Sequence, residues 1–161
     1  VMAAMEDDDI LVYADAGCTF NKAGRERLLE YIEMCKGKEG NVSFQTGHKD
    51  KDWCKMDLID MLDARDLSDS GQLIATTFII RKCPRTVELV DHWYELAQDY
   101  HLLDDSPSII GNSPGFVEHR HDQSIFSLLR KEAGSKILPD ETWLAELRGR
   151  APIWATRIKI S

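Results

Sequence analysis

The chain has 161 residues, 43% hydrophobic and 30% charged, with 28 acidic against 20 basic side chains and a formal net charge of −8. That balance repels phosphate backbones and argues against a nucleic-acid binder working through a basic face. Collagen-like, coiled-coil and disordered chains are excluded by composition, and no apolar run approaches the roughly 18–20 residues that span a bilayer. What remains is an acidic, globular α/β or α+β chain, read as a single domain over residues 1–161.

The acidic stretch Glu6 to Asp9 leads into Ile10-Leu11-Val12-Tyr13, a β-rich run predicted as a buried strand. Ala14-Asp15-Ala16-Gly17 then turns the chain. Asn21 is placed to cap a helix from about Lys22 to Lys36, with Leu28, Leu29, Ile32 and Met34 on its apolar side and Gly37 and Gly40 as stops. Val42 to Gln45 reads as a short strand and Asp52 to Ala64 as a second helix, with Trp53, Met56, Ile59, Met61 and Leu62 apolar. Ser68 to Gly71 is a turn, followed by one strand from Gln72 to Arg81. Pro84 opens a helix carrying Val87, Leu89, Val90, Trp93 and Leu96. Leu103 to Glu118 reads as an ordered loop, Asp122 to Lys131 as a helix burying Ile125, Phe126, Leu128 and Leu129, and Ile153 to Ile160 as a last strand. Alternating helices and strands favour a layered α/β architecture.

The four cysteines, Cys18, Cys35, Cys54 and Cys83, are dispersed with no CxxC pair, which speaks against a zinc framework. The first nine residues lack the basic and apolar regions of a signal peptide. Reduced thiols in a cytoplasmic setting are the expectation. The chain begins at Val1 rather than Met, which suggests an excerpt of a longer protein.

Three groups of residues have the chemistry of a site. Asp15 follows a strand, where open α/β sheets place ligands, and its carboxylate is a hard ligand suited to Mg²⁺ or Mn²⁺ carrying a diphosphate; the alternative is that it caps the turn. Glu118-His119-Arg120-His121-Asp122-Gln123-Ser124 gathers two imidazoles, a guanidinium and two carboxylates at a loop-to-helix junction. Its helix N-terminus and Arg120 attract anions, and His119 and His121, two apart, are candidate metal ligands beside Asp15. Asp122 reads equally as a residue that the helix dipole favours. His48, Trp53, Lys55 and Asp57 form either a sugar-stacking platform or a core tryptophan with a solvated helix face. Asp104-Asp105 reads as a turn opener or as paired carboxylates for acid–base work. Cys18 is read as structural.

The segments ILVYADAGC, GQLIATTFIIRKCPRTVELVDHW and DDSPSIIGNSPGFVEHRHDQSIFSLL together resemble a group of GT-A glycosyltransferases that includes viral and bacterial sugar transferases. The resemblance runs from about Asp9 to Leu138, and HRHDQSIFSLL is its most specific part, matching the DQ segment that opens a helix in family-8-like enzymes. It implies a three-layer nucleotide-diphospho-sugar transferase fold, with the chain corresponding to the C-terminal two-thirds of the catalytic domain, because only about nine residues precede the motif strand where the family carries a nucleotide-binding half. It implies Asp15 as the first acid of a DxD-like motif holding Mn²⁺ or Mg²⁺. Gly17 stands where the second acid is usual, so the ligand sphere would draw on His119 or His121, phosphate and waters. Asp122 is then the carboxylate beneath the transferred sugar, Gln123 contacts that sugar, and the strand with Phe78 to Arg81 lines the acceptor side. Lys55, Asp57 and Arg120, from the residue groups above, are the further substrate-binding candidates. The implied reaction is metal-assisted transfer of a sugar from a nucleotide-sugar donor to the hydroxyl of a carbohydrate or another acceptor. The competing expectations are a non-catalytic carbohydrate- or nucleotide-binding module and, more weakly, a metal-dependent hydrolase built on Asp15, His119, His121 and Asp122.

Overall fold

A computed structural model describes residues 2–143 and 149–156. The elements in chain order are β1 (Ile10–Ala14), β2 (Cys18–Phe20), α1 (Arg25–Cys35), β3 (Asn41–Lys49), α2 (Asp50–Trp53), α3 (Met56–Met61), β4 (Gly71–Leu73), β5 (Thr77–Arg81), α4 (Pro84–Leu96), α5 (His121–Ala133), β6 (Lys136–Pro139) and β7 (Ile153–Ala155), with short 3-10 turns at Met2–Ala4, Lys22–Gly24 and Tyr100–Leu102. The chain is mixed α/β. Among the described residues no helix is long and apolar enough to cross a membrane. The chain forms two compact units: Val1–Phe44, Thr76–Thr86 and Ser135–Ser161 make the first, and Gln45–Ala75 and Val87–Gly134 the second.

In the first unit β1 pairs antiparallel with β5, from Ile10 opposite Arg81 to Ala14 opposite Thr77, and β5 pairs antiparallel with the start of β3 through Asn41–Ile80 and Val42–Ile79. β6 also pairs with β3, and β2 pairs separately with β7. Val42, Phe44, Phe78, Ile79 and Ile80 are buried, as their β-branched and aromatic side chains favour on a pleated surface. Tyr13 stacks on Phe78 with ring centroids 4.7 Å apart. Helix α1 buries Tyr31 and Cys35, one turn apart; of the predicted apolar side Leu28, Ile32 and Met34 are half-buried and Leu29 is exposed. Asn21 Oδ1 accepts from Ala23 N at 3.1 Å, as expected of a cap, and its Nδ2 donates to Ala151 O at 3.0 Å. Gly24 lies against that same segment: a Cβ there would stand 2.4 Å from Pro152 Cα. Glu141 is buried with Arg27 and Tyr31 as partners; burial opposes its charge, but both partners outweigh that and hold it below the ordinary carboxylate range.

In the second unit β4 runs antiparallel to the end of β3, with Gln45 opposite Leu73 and Lys49 opposite Gly71 and an irregularity between them. Helix α5 buries every residue from Ser124 to Arg130. Phe126 stacks on Trp93 of α4 with centroids 3.9 Å apart. Ser127 Oγ donates to Asp50 Oδ2 at 3.0 Å and receives a bond from Leu73 N at 2.8 Å, while Lys131 pairs with the fully buried Asp50.

Two predicted elements are broken. The helix expected over 52–64 is two short ones, because Cys54 and Lys55 adopt extended backbone (ψ 138° and 140°). The strand expected over 72–81 is interrupted at Ile74–Thr76, where Ala75 N donates to the side chain of Gln123 instead of a neighbouring strand. The predicted last strand is present as Ile153–Ala155, and its expected continuation from residue 157 lies outside the described residues.

Candidate functional site: a clipped loop and its cleft

The break between α2 and α3 turns Lys55 inward. The residue is 1% exposed and Nζ donates to His101 O (2.6 Å), Asp104 Oδ1 (2.8 Å) and Ser106 Oγ (3.2 Å), using all three of its hydrogens. The solvated helix face expected here is therefore replaced by a buried cation holding the 101–106 segment. The ammonium and the Ser106 hydroxyl hold Asp104 well below the ordinary carboxylate range. Asp57 fastens the next stretch: Oδ1 accepts from Ile110 N (2.7 Å), and Oδ2 accepts from Ile109 N (2.9 Å) and meets His101 Nε2 (2.7 Å). Burial opposes its charge, but His101 and the two amides prevail and its pKa is lowered. Asn112 Oδ1 accepts from Met56 N and Ser108 Oγ, both at 2.8 Å.

His119 closes the loop. Lys55 N donates to its Nδ1 at 3.1 Å, so Nε2 carries the proton and donates to Leu102 O at 2.8 Å. The ring is 4% exposed, and burial pushes its pKa down, keeping it neutral. Both ring nitrogens are occupied, which leaves no lone pair for a cation. His121 sits in the left-handed region (φ 50°) with Nε2 on Asp105 Oδ1 at 2.9 Å. Arg120 lies 4.5 Å over the Trp53 ring and pairs with Glu118 at 3.1 Å, so the expected sugar-stacking face of Trp53 is taken by a guanidinium, with His48 also beside the ring. Gln123 spends its amide on Ala75 N and on Gln72 Oε1. Asp122 is exposed in the first turn of α5.

The loop so held encloses a cleft of about 430 Å³. Asp105, Ser106, Asn112 and Glu118 supply polar wall, and Ile110 and Phe116 apolar wall. Of the predicted site residues, Lys55 and His119 reach this cleft, Asp57 braces it from behind, and Arg120 and His121 are tied to two of its lining carboxylates. Asp122 and Gln123 are not among its lining residues. His101 and Ser106 belong to the site and were not singled out in the sequence; Asp104-x-Ser106-Pro107 does have the pattern of an Asx turn, with Ser106 N on Asp104 Oδ1 at 3.1 Å.

Asp15 belongs to the first unit. Its backbone N donates to Thr76 O (2.9 Å), its O accepts from Cys18 N (2.9 Å) and Oδ1 accepts from Tyr13 Oη (2.8 Å), which is a turn-forming role. The strand-end rule that pointed to a ligand belongs to parallel sheets, and β1 is antiparallel to its neighbour β5. Among the described residues no group of three or more His, Cys, Asp and Glu side chains is arranged to hold a metal ion. With His119 saturated as well, the residues expected to bind Mn²⁺ or Mg²⁺ do not fit a pre-formed cation site. Comparison of the chain with protein-family models, with curated proteins and with solved structures finds no match.

Proposed function

We propose that the chain is a glycosyltransferase domain of GT-A-like architecture, moving a sugar from a nucleotide-sugar donor to an acceptor hydroxyl, and that the cleft of the second unit receives the acceptor sugar. The make-up of that cleft carries the reading. Asp105 and Glu118 can accept hydroxyl protons, Asn112 Nδ2 can donate, and Ile110 and Phe116 offer apolar surface to the C–H face of a pyranose. Two carboxylates disfavour a diphosphate, so a neutral polyhydroxy ligand suits this cleft better than the nucleotide. Asp122, on the turn into which the loop leads, keeps the role of base or orienter that the resemblance implies.

The test is release of nucleoside diphosphate from a panel of sugar nucleotides by the full chain, with and without Mn²⁺, alongside calorimetric titration of simple sugars. The reading expects sugar binding and turnover, with Asp122→Asn lowering turnover at least about 100-fold. One observation favours a second reading, a non-catalytic carbohydrate-binding module: Lys55, Asp57, His119 and Gln123 are all bonded within the fold, as suits a fixed recognition surface. Binding without turnover supports the module. Neither binding nor turnover overturns both.

A further inference from the structure

Behind the cleft wall, Asp57, His101 and Ser106 stand in a chain. Asp57 Oδ2 lies 2.7 Å from His101 Nε2, and His101 Nδ1 lies 2.9 Å from Ser106 Oγ. The carboxylate already receives two backbone N–H bonds and is thereby fixed as an acceptor, so the neutral imidazole places its one proton on Nε2, facing Asp57. Its Nδ1 lone pair then faces the Ser106 hydroxyl, and Ser106 is the member of the chain that lines the cleft. A hydroxyl, a base within hydrogen-bond reach and a carboxylate orienting that base are the parts of an activated serine. The Lys55 ammonium, 3.2 Å from Ser106 Oγ, adds positive charge beside the hydroxyl oxygen.

The Ser106 hydroxyl donates to Asp104 Oδ1 at 2.6 Å, a bond it exchanges for His101 Nδ1, 2.9 Å away, before attack. Lys55 is bonded to that same oxygen and holds Asp104 well below the ordinary carboxylate range, which makes it a poor resting place for a proton.

We propose that Ser106, with His101 as base and Asp57 as its orienter, is the nucleophile of an acyl-transfer site, and that its substrates are O-acyl esters of a polyhydroxy alcohol. Ser106 Oγ attacks the ester carbonyl carbon as its proton passes to His101 Nδ1. The carbonyl π pair moves to oxygen, beside the Lys55 ammonium, whose bond to Oγ loosens as Oγ becomes an ester oxygen. Collapse breaks the C–O bond of the alcohol, which leaves with the proton from His101. Water then attacks the acyl-serine, giving its proton to His101, and the carboxylic acid departs as Ser106 recovers its hydroxyl hydrogen. The balance needs only ester and water. The choice of a carbohydrate as the alcohol part rests on the sugar reading of the same cleft; the acyl step does not.

The experiment uses the full chain with p-nitrophenyl acetate, with an O-acetylated monosaccharide, and with a fluorophosphonate followed by peptide mass mapping. The wild-type chain is expected to hydrolyse both esters and to carry the phosphonate on Ser106. Folded Ser106→Ala and His101→Gln variants should lose at least about 100-fold in ester turnover. Labelling of the wild type does not depend on any variant folding, so absence of an adduct on Ser106 at saturating reagent overturns the proposal, as does ester turnover unchanged in Ser106→Ala. Nucleotide-sugar turnover without ester hydrolysis sinks this inference and leaves the transferase reading standing; sugar binding with neither turnover sinks it and supports the binding module. Aryl-ester hydrolysis without sugar-ester hydrolysis keeps the nucleophile and overturns the carbohydrate substrate.

Discussion

Lys55→Met keeps the length and apolar stem of the side chain and removes only the ammonium. Three hydrogen bonds go with it: those to His101 O, Asp104 Oδ1 and Ser106 Oγ. Removing one partner of a buried ion pair costs about 3–5 kcal/mol. The Asp104 side chain is 21% exposed, so water takes over part of its solvation, and the loss belongs at the low end, about 3 kcal/mol. Urea unfolding followed by tryptophan fluorescence reports it, since Trp53 and Trp93 both lie in the second unit. Asp104→Asn and the double variant complete a cycle, in which direct contact predicts a coupling of about 0.5–3 kcal/mol. A loss below about 1 kcal/mol, or a coupling near zero, would refute the picture of a buried cation holding the loop.

Two further outcomes follow from the packing. His119 is neutral in the fold with its pKa pushed below the usual value of about 6.5, so the unfolded chain binds the proton first as pH falls. Its contribution to stability is complete above about pH 6.5 and declines below it; the urea midpoint should drop between pH 7 and 5, and His119→Gln should flatten that slope, whereas an identical slope in the variant would show that another group governs it. In the first unit Gly24→Ala drives a Cβ to 2.4 Å from Pro152 Cα, backbone against backbone, and should cost about 1–3 kcal/mol in thermal melting; an unchanged midpoint would contradict the close approach.

The sequence pattern was legible where one periodicity acted alone. β1 fell within a residue of its expected span and α5 began one residue early, whereas Asn21 caps the 3-10 turn Lys22–Gly24 and the helix itself starts three residues later than expected, at Arg25. It failed where a side chain outbid the local backbone preference. The apolar residues from Trp53 to Leu62 have helical spacing, but Lys55 N finds His119 Nδ1 and the chain extends through Cys54 and Lys55 to reach it. Thr76 and Ala75 look like strand, yet Ala75 N bonds to Gln123, a residue 48 positions later. In α1 the strongly apolar Leu28, Ile32 and Met34 are only half-buried, whereas Tyr31 and Cys35 are the fully buried pair. The candidate site was half visible. Lys55, Asp57 and His119 stood out as polar residues in unusual company, but whether such a group meets a ligand or the chain itself depends on partners distant in sequence. His101 and Ser106 offered no local signal of their bond.

The segment from Leu103 to Glu118 has no repeating backbone pattern, yet it is fastened by side chains that arise outside it, Lys55 and Asp57, while His119 just beyond it bonds Leu102 O just before it. Asp57 grips the amides of Ile109 and Ile110 and leaves their side chains outward, Ile109 86% exposed. Anchorage and display are thus assigned to different residues. Substitution at 109, 110 and 117 can alter the exposed surface of the loop while the frame stays intact, which makes this stretch a natural place for evolution, or an engineer, to vary the surface without redesigning the protein.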